Sequence, residues 1–475
     1  MSPTSAVDVD VVVVGAGLAG LAAARNLKAA GHSVIVFEAR DRVGGRVKNG
    51  QTSDGTVVEM GGQWIGPTQD RVIAWCDKFG LERFPTYNEG ENLIHEGRRL
   101  RRYKGAIPKL NPAVLMDIGQ AQLRLDRMAK RVPLDVPWTA DKAEEWDGQT
   151  VESWVRSNMR TSVGRQMLRL GVRAVFAAEA ADLSLLHFLF YSHSGGYLDR
   201  LFNVKNGAQE QRVVGGTELI AQRAAEQLGD AVHLSSPVSK ITQSPHGTDI
   251  VVATSDGQSV NSKRVIISIP PLLAGRIEYD PQVPPWREQL TQRMPMGSVI
   301  KCQVVYPEPF WRKEGLTGQM TDIAGPAQIT FDNSPPSGNP GVLLAFVEGA
   351  HARDMSHREP DERRGRVVEC LVRCFGQKAA YPDEFIELDW SAERWSGGCY
   401  GALVGPGVLR SYGMALRQPW HRIHWAGTET SEVWAGYMDG AIRSGERAAH
   451  VVMEKLDSGT PVASHSSATD SAATG

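Results

Sequence analysis

Apolar and polar positions change period several times along the chain, and each change marks a new kind of element. Val11 to Val14 is an unbroken β-branched run, the pattern of a strand buried on both faces of a parallel sheet. LAAARNLKAAG then predicts a helix ending at Gly31, and Val34 to Phe37 predicts a second strand that closes on Glu38. From about residue 80 to 210 apolar side chains recur instead at three- and four-residue steps. They do so in AVLMDIGQAQLRLDRMAKRV (113–132), TVESWVRSNM (150–159) and LSLLHFLFYSH (183–193), which predicts packed helices. Short strands around a helix return in VVGGTELIAQRAAEQLG (213–229), SSPVSKIT (235–242), DIVVATSDGQ (249–258) and RVIISIPP (264–271). A second excursion, from about 290 to 390, opens with MPMGSVIKCQVVYPEPFW (294–311), a strand-like apolar run interrupted by Lys301. The chain therefore crosses more than once between two parts. Residues 458–475, SGTPVASHSSATDSAATG, are small and polar with almost nothing to bury, and predict a disordered tail.

The junction between the first strand and helix carries chemistry. Gly15, Gly17 and Gly20 stand at G-x-G-x-x-G spacing. In a dinucleotide site the first glycine allows the tight turn, the second lets backbone approach a pyrophosphate, and the third lets helix pack on strand. Glu38, at the end of the second strand, sits where an acid accepts hydrogen bonds from a ribose diol. That acid would repel a 2'-phosphate, so FAD or NAD is favoured over NADP. Arg40-Asp41-Arg42-Val43-Gly44-Gly45-Arg46 then offers a second close approach and fixed positive charge for a pyrophosphate; a solvated basic turn is the bland alternative.

Bulk properties narrow the rest. At 475 residues the chain suits two or more domains. Its 52 basic and 54 acidic residues nearly cancel, so no global field recruits nucleic acid or an anionic membrane. The five cysteines are odd in number and none has zinc-site spacing, which predicts no metal and suits a reducing compartment. Cys370 and Cys374, four apart, read as neighbours on one helix face. Residues 1–8 lack the pattern of a secretory signal, and no window reaches the roughly 18 apolar residues of a membrane span. A cytoplasmic protein is the expectation, with a peroxisomal location left open.

VFEARDRVGGR followed by EMGGQWIGPTQDR (59–71) resembles the flavin-dependent amine oxidases, in particular the monoamine oxidases, and so do WSGGCY (395–400) and HWAGTETSEVWAGYMDGAIRSGERAA (424–449). The resemblance implies an α/β chain with a Rossmann-like FAD-binding domain of the glutathione reductase type, formed by 1–80, 211–290 and 391–457. An α+β substrate domain, 81–210 and 291–390, is interleaved with it. It implies further that Glu38 holds the adenosine ribose, that Arg40, Gly45 and Arg46 lie at the diphosphate, and that the backbone of Gly61 and Gly62 lies near the flavin. Val238 meets the adenine, Lys301 in GSVIKC holds a water against flavin N5, and Trp395, Gly427 and Thr428 border the cofactor. Cys399 is implied to be joined to the flavin 8α-methyl, with Gly397 and Gly398 clearing the path of the ring; a free packed cysteine is the alternative, since some relatives bind FAD without a bond. The helix starting near Met438 is implied to aim its N-H groups at the flavin pyrimidine. Tyr400 and Tyr437 are implied to stand as parallel rings before the flavin, with Phe202 at the gate and Gln209 near the substrate.

The implied reaction oxidises a primary amine to aldehyde, ammonia and peroxide, with molecular oxygen as second substrate and no acidic general base. A homodimer is implied by family habit alone. The cage segment continues as GALVGPG, where monoamine oxidases generally carry bulkier residues, so the amine is left open. A polyamine or L-amino-acid oxidase of the same fold, and a non-catalytic flavoprotein-fold carrier of prenylated proteins, stay beside this reading.

Overall fold

The computed structural model describes residues 7–97, 99–105, 108, 110–243 and 249–458. The expected tail, apart from Ser458, lies outside them. Strand β1 (Val7–Val14) leads through a tight turn into helix α1 (Leu18–Ala29) and strand β2 (Val34–Phe37). β1 runs parallel to β2 on one side, Val12 opposite Ile35, and to β3 (Ser259–Ile267) on the other, Val12 opposite Val265. Because β1 is central in the sheet, both its faces are covered, and Val11, Val12 and Val13 are fully buried. Among the described residues this sheet has eight strands, the last added by Ile423–Trp425 on β3.

A second, mainly antiparallel sheet, of seven strands among the described residues, contains β4 (Val299–Tyr306) and β5 (Gly341–Glu348) side by side. All eight residues of each are buried, which places Lys301 in a core strand. The expected helices appear at Pro112–Ala129, Val151–Asn158 and Leu185–Ser194 and pack as one apolar cluster. Cys370 and Cys374 share the buried face of Pro360–Phe375, as their spacing predicts. The last helix, α2 (Met438–Asp457), lies against α1 so closely that a Cβ on Gly445 would stand 2.0 Å from the Ala19 carbonyl oxygen. No described helix is long and apolar enough to cross a membrane.

Candidate active site

A single cavity of ≈ 1080 Å³ runs from the turn after β1, past the start of α2, to the helical region. Every site residue singled out in the sequence lines it except Gly20. Gly20 sits behind the wall: a Cβ there would lie 1.9 Å from the Gly15 carbonyl oxygen, so its task is to let α1 pack on the turn. Gly15 adopts φ +99, open to glycine at little cost, whereas a Cβ on Gly17 would meet nothing within 4 Å. Open space over Gly17, at the N-terminus of α1, is the cradle a pyrophosphate needs.

Glu38 is buried beside this turn. One carboxylate oxygen accepts from the Ala16 N-H at 2.8 Å and the other from the Arg40 N-H at 3.0 Å. Arg40 donates to Glu393 and, at 2.8 Å, to Ser396, while its Nε is buried without a partner. Arg46 forms a two-pronged pair with Glu429, at 2.6 and 3.1 Å, and donates to the Tyr400 carbonyl at 3.0 Å. Both arginines are thus paired with carboxylates, and Arg40 keeps a buried, unpartnered Nε beside the backbone of the turn. Glycine cradle, ribose-type acid and orphan donor together fit a dinucleotide. Gly45, Val238 and Trp395 border the same end, and Met438 opens α2 as expected. Gly427 donates its N-H to Ser444 Oγ at 3.0 Å and Thr428 Oγ1 donates to the Tyr437 carbonyl at 2.8 Å, tying the strand end to the start of α2.

Cys399 is buried, and burial pushes its thiol up to about 12 against the pull of Arg46. The glycine immediately before it has a packing role of its own. A Cβ on Gly398 would stand 2.3 Å from the Gly297 carbonyl oxygen and 2.6 Å from Met296 Cβ. Packing against the chain leading into β4 by itself requires a glycine at 398.

Lys301 donates to the Gly61 carbonyl at 2.7 Å and to Gln63. Burial pushes its ammonium down to about 7, against the opposing pull of Glu59. Gln63 is itself fixed by donating to Asn333 at 2.7 Å. Lys301 is thus not a lysine that extends its head to water; the fold holds it beside Gly61, one residue from Gly62.

The two tyrosines converge from separate segments. Tyr437 packs on Trp434, with ring centroids 4.9 Å apart, and on Tyr191, 5.9 Å away. Tyr400 packs on Phe346, 6.2 Å away, and its hydroxyl donates to Glu348 at 2.7 Å. Phe202 is 42% exposed at the cavity wall, where a Cβ on Gly171 would lie 2.9 Å from its ring. Gln209 donates to the Leu201 carbonyl at 3.0 Å, and its Oε1 is buried without a partner.

Three residues escaped the sequence reading: Gln63, Glu429 and Glu348. Glu348 ends the apolar strand β5, opposite Val299 of β4, and burial raises its carboxyl to about 8. A charge closing an otherwise apolar run was the available signal, the same one that drew attention to Lys301.

A family profile described as "Flavin containing amine oxidoreductase" matches residues 18–453. The chain belongs to that family. It is 44% identical over 448 residues to AofH of Mycobacterium tuberculosis, whose name as a flavin-containing monoamine oxidase is itself provisional, covering 94% of this chain and 97% of that one. It is 38% identical over 453 residues to the flavin-containing amine oxidase A of Equus caballus, covering 94% and 85%. Among solved structures, a putrescine oxidase with putrescine bound superposes with a TM-score of 0.91 at 32% identity, covering 94% of this chain and 99% of that one. A cyclohexylamine oxidase from Brevibacterium oxydans IH-35A gives 0.91 at 31%, covering 95% and 100%. The chain is accordingly an FAD-dependent amine oxidoreductase, with an amine and oxygen as its substrates.

Proposed function

We propose that the chain oxidises a primary amine, R-CH2-NH2, with oxygen and water to the aldehyde, ammonia and hydrogen peroxide. The observation that carries this is the single cavity joining the glycine turn and Glu38 to Lys301, Cys399, Tyr400 and Tyr437. FAD bound there would supply two-electron acceptance from the amine α-carbon and return of those electrons to oxygen. Gly15, Gly17, Glu38, Arg40, Gly45, Arg46 and Val238 would hold its nucleotide half. Gly61, Gly62, Trp395, Gly427, Thr428 and Met438 would border the ring, and Cys399 would tether it. The protein's own work is then positional. Tyr400 and Tyr437 confine the amine so that its C-H bond points one way, and their apolar surroundings exclude water and favour the neutral amine. Lys301, held by Gly61 and Gln63, keeps a proton donor at the site with an ionisation near neutrality. Phe202 would restrict the mouth and Gln209 would meet the substrate. In this reading residues 1–80, 211–290 and 391–457 bind FAD and the remaining body shapes the amine pocket.

The test is to purify the protein, precipitate it in acid, and assay the native enzyme for peroxide with a panel of amines. A yellow pellet supports the Cys399 tether and colour only in the supernatant refutes it; peroxide from no amine refutes the reaction.

A further inference from the structure

On the amine side of the cavity the polar groups are sparse and unevenly charged. Glu348 is 2% exposed yet lines the cavity, and one of its carboxylate oxygens accepts the Tyr400 hydroxyl at 2.7 Å. The second oxygen has no hydrogen-bond partner among the described residues. That oxygen is not one of the buried polar atoms left without a partner, so it is open to the cavity and available to whatever enters. The surrounding cations are committed elsewhere. Arg173 pairs with Glu179 at 2.8 Å, Lys301 is held by Gly61 and Gln63, and Arg46 is matched by Glu429. Lys205 lies exposed at the rim. A substrate carboxylate entering the cage would meet the ionised Glu348 with no uncommitted buried cation among the described residues facing it, whereas an amino group would meet an acceptor.

We propose that Glu348 is the specificity-determining residue of the amine site: its free oxygen accepts a hydrogen bond from the substrate's amino group, its other oxygen fixes the Tyr400 ring, and α-amino acids are thereby turned away. This rests on the amine-oxidase reading above. The selection is by difference and operates where Glu348 is ionised, above about pH 8, since the carboxylate then attracts the amine and repels the amino acid carboxylate. Glu348 reaches the cage from β5, while Lys301 reaches the far side of Gly61 from adjacent β4, so one pair of strands supplies both charged groups.

The experiment compares peroxide formation at about pH 9, where the Glu348 carboxyl is ionised, from 2-phenylethylamine and from phenylalanine, which differ by one carboxylate, in the wild-type holoenzyme, in E348Q and in E348L. E348Q keeps an oxygen for the Tyr400 hydroxyl but carries no charge. It should raise KM for the amine roughly 10- to 100-fold, the worth of a charge-assisted hydrogen bond, with a smaller change in kcat. The preference for amine over amino acid should narrow by a similar factor. E348L, which also releases Tyr400, should lower kcat as well. Should the variants lose flavin, inhibition of the wild-type enzyme decides: N,N,N-trimethyl-2-phenylethylammonium should compete less well than N-methylated amines that keep an N-H, and phenylacetate should not compete. Unchanged KM and preference in E348Q, turnover of phenylalanine by the wild type at a rate comparable with the amine, or competition by phenylacetate would each overturn the assignment. A wild-type enzyme giving peroxide from no amine sinks the underlying reading instead.

Discussion

The two ends of the cavity are built differently. At the end proposed for the nucleotide the groups are backbone and a few residues close in sequence: the turn at Gly15 to Gly20, then Glu38 and Arg40. At the end proposed for the amine the groups are side chains from distant segments. Lys301 comes from β4, Glu348 from β5, Tyr400 and Tyr437 from the last quarter of the chain, and Phe202 and Gln209 from the helical part. A backbone site depends on local spacing and fails when a neighbour intrudes; a side-chain site depends on convergence and fails group by group. The consequence is that substitutions at the first end should abolish binding, whereas those at the second should grade the reaction.

The largest effect should come from G20V. Its side chain would be driven into the Gly15 carbonyl, at a cost of about 3 kcal/mol or more, and the purified protein should carry no flavin colour. A yellow, stable G20V would mean that the turn tolerates displacement and is not the cradle. Next is K301M, which keeps the length of the stem and removes the ammonium. Rapid-mixing traces should show flavin reduction or reoxidation slowed by roughly 100-fold, in the range for loss of a positioned proton-transfer group. If both half-reactions keep wild-type rates, Lys301 is structural.

C399A should have a smaller effect. Its acid pellet should be colourless while the native protein stays yellow through the remaining contacts; a pellet that remains yellow would place the bond elsewhere.

The smallest effect is on stability against pH, where Glu348 and Lys301 act in opposite directions. Glu348 ionises near 8 in the folded protein and at about 4.5 ordinarily. The folded state therefore keeps a proton that the unfolded chain releases, and this contribution, full below 4.5, is lost as pH rises through 8. Tyr400, Arg173 and Glu179 are the groups facing it, and the Tyr400 hydroxyl and Arg173 moderate the shift. Lys301 is lowered from 10.5 to about 7, so the unfolded chain binds the extra proton and stability gains between those values. Denaturant titrations should show E348Q flattening the decline between 4.5 and 8, by no more than a few kcal/mol. An unaltered slope would mean that Glu348 is better solvated than its burial implies.

This contrast also explains what could be read from the sequence. Strand Val34–Phe37 and the onset of α2 at Met438 lie where the pattern predicts them, because period and spacing are local properties. Glycine positions were legible, but their reasons were only partly so: Gly20 and Gly398 are required by contacts with Gly15 and Gly297, and the second of these partners lies some hundred residues away in the chain. Lys301 stands out as a charge within an apolar run, yet its partners Gly61 and Gln63 lie far away in sequence and meet it only in the folded chain. The partners of Arg40 and Arg46 are not legible in the sequence, because the carboxylates that pair with them, Glu393 and Glu429, come from the other end of the chain. Glu348 was passed over for the same reason, since nothing near it in sequence announces Tyr400 as its partner.

Anaerobic titration of the purified yellow protein with 2-phenylethylamine, followed by its visible flavin absorbance, reads both ends of the cavity at once. Full bleaching by the amine, none by an equal concentration of phenylalanine, and recovery of colour with peroxide on admitting air are the expected results. Absorbance that stays constant through a panel of amines would contradict the joining of a flavin to an amine pocket in this one cavity.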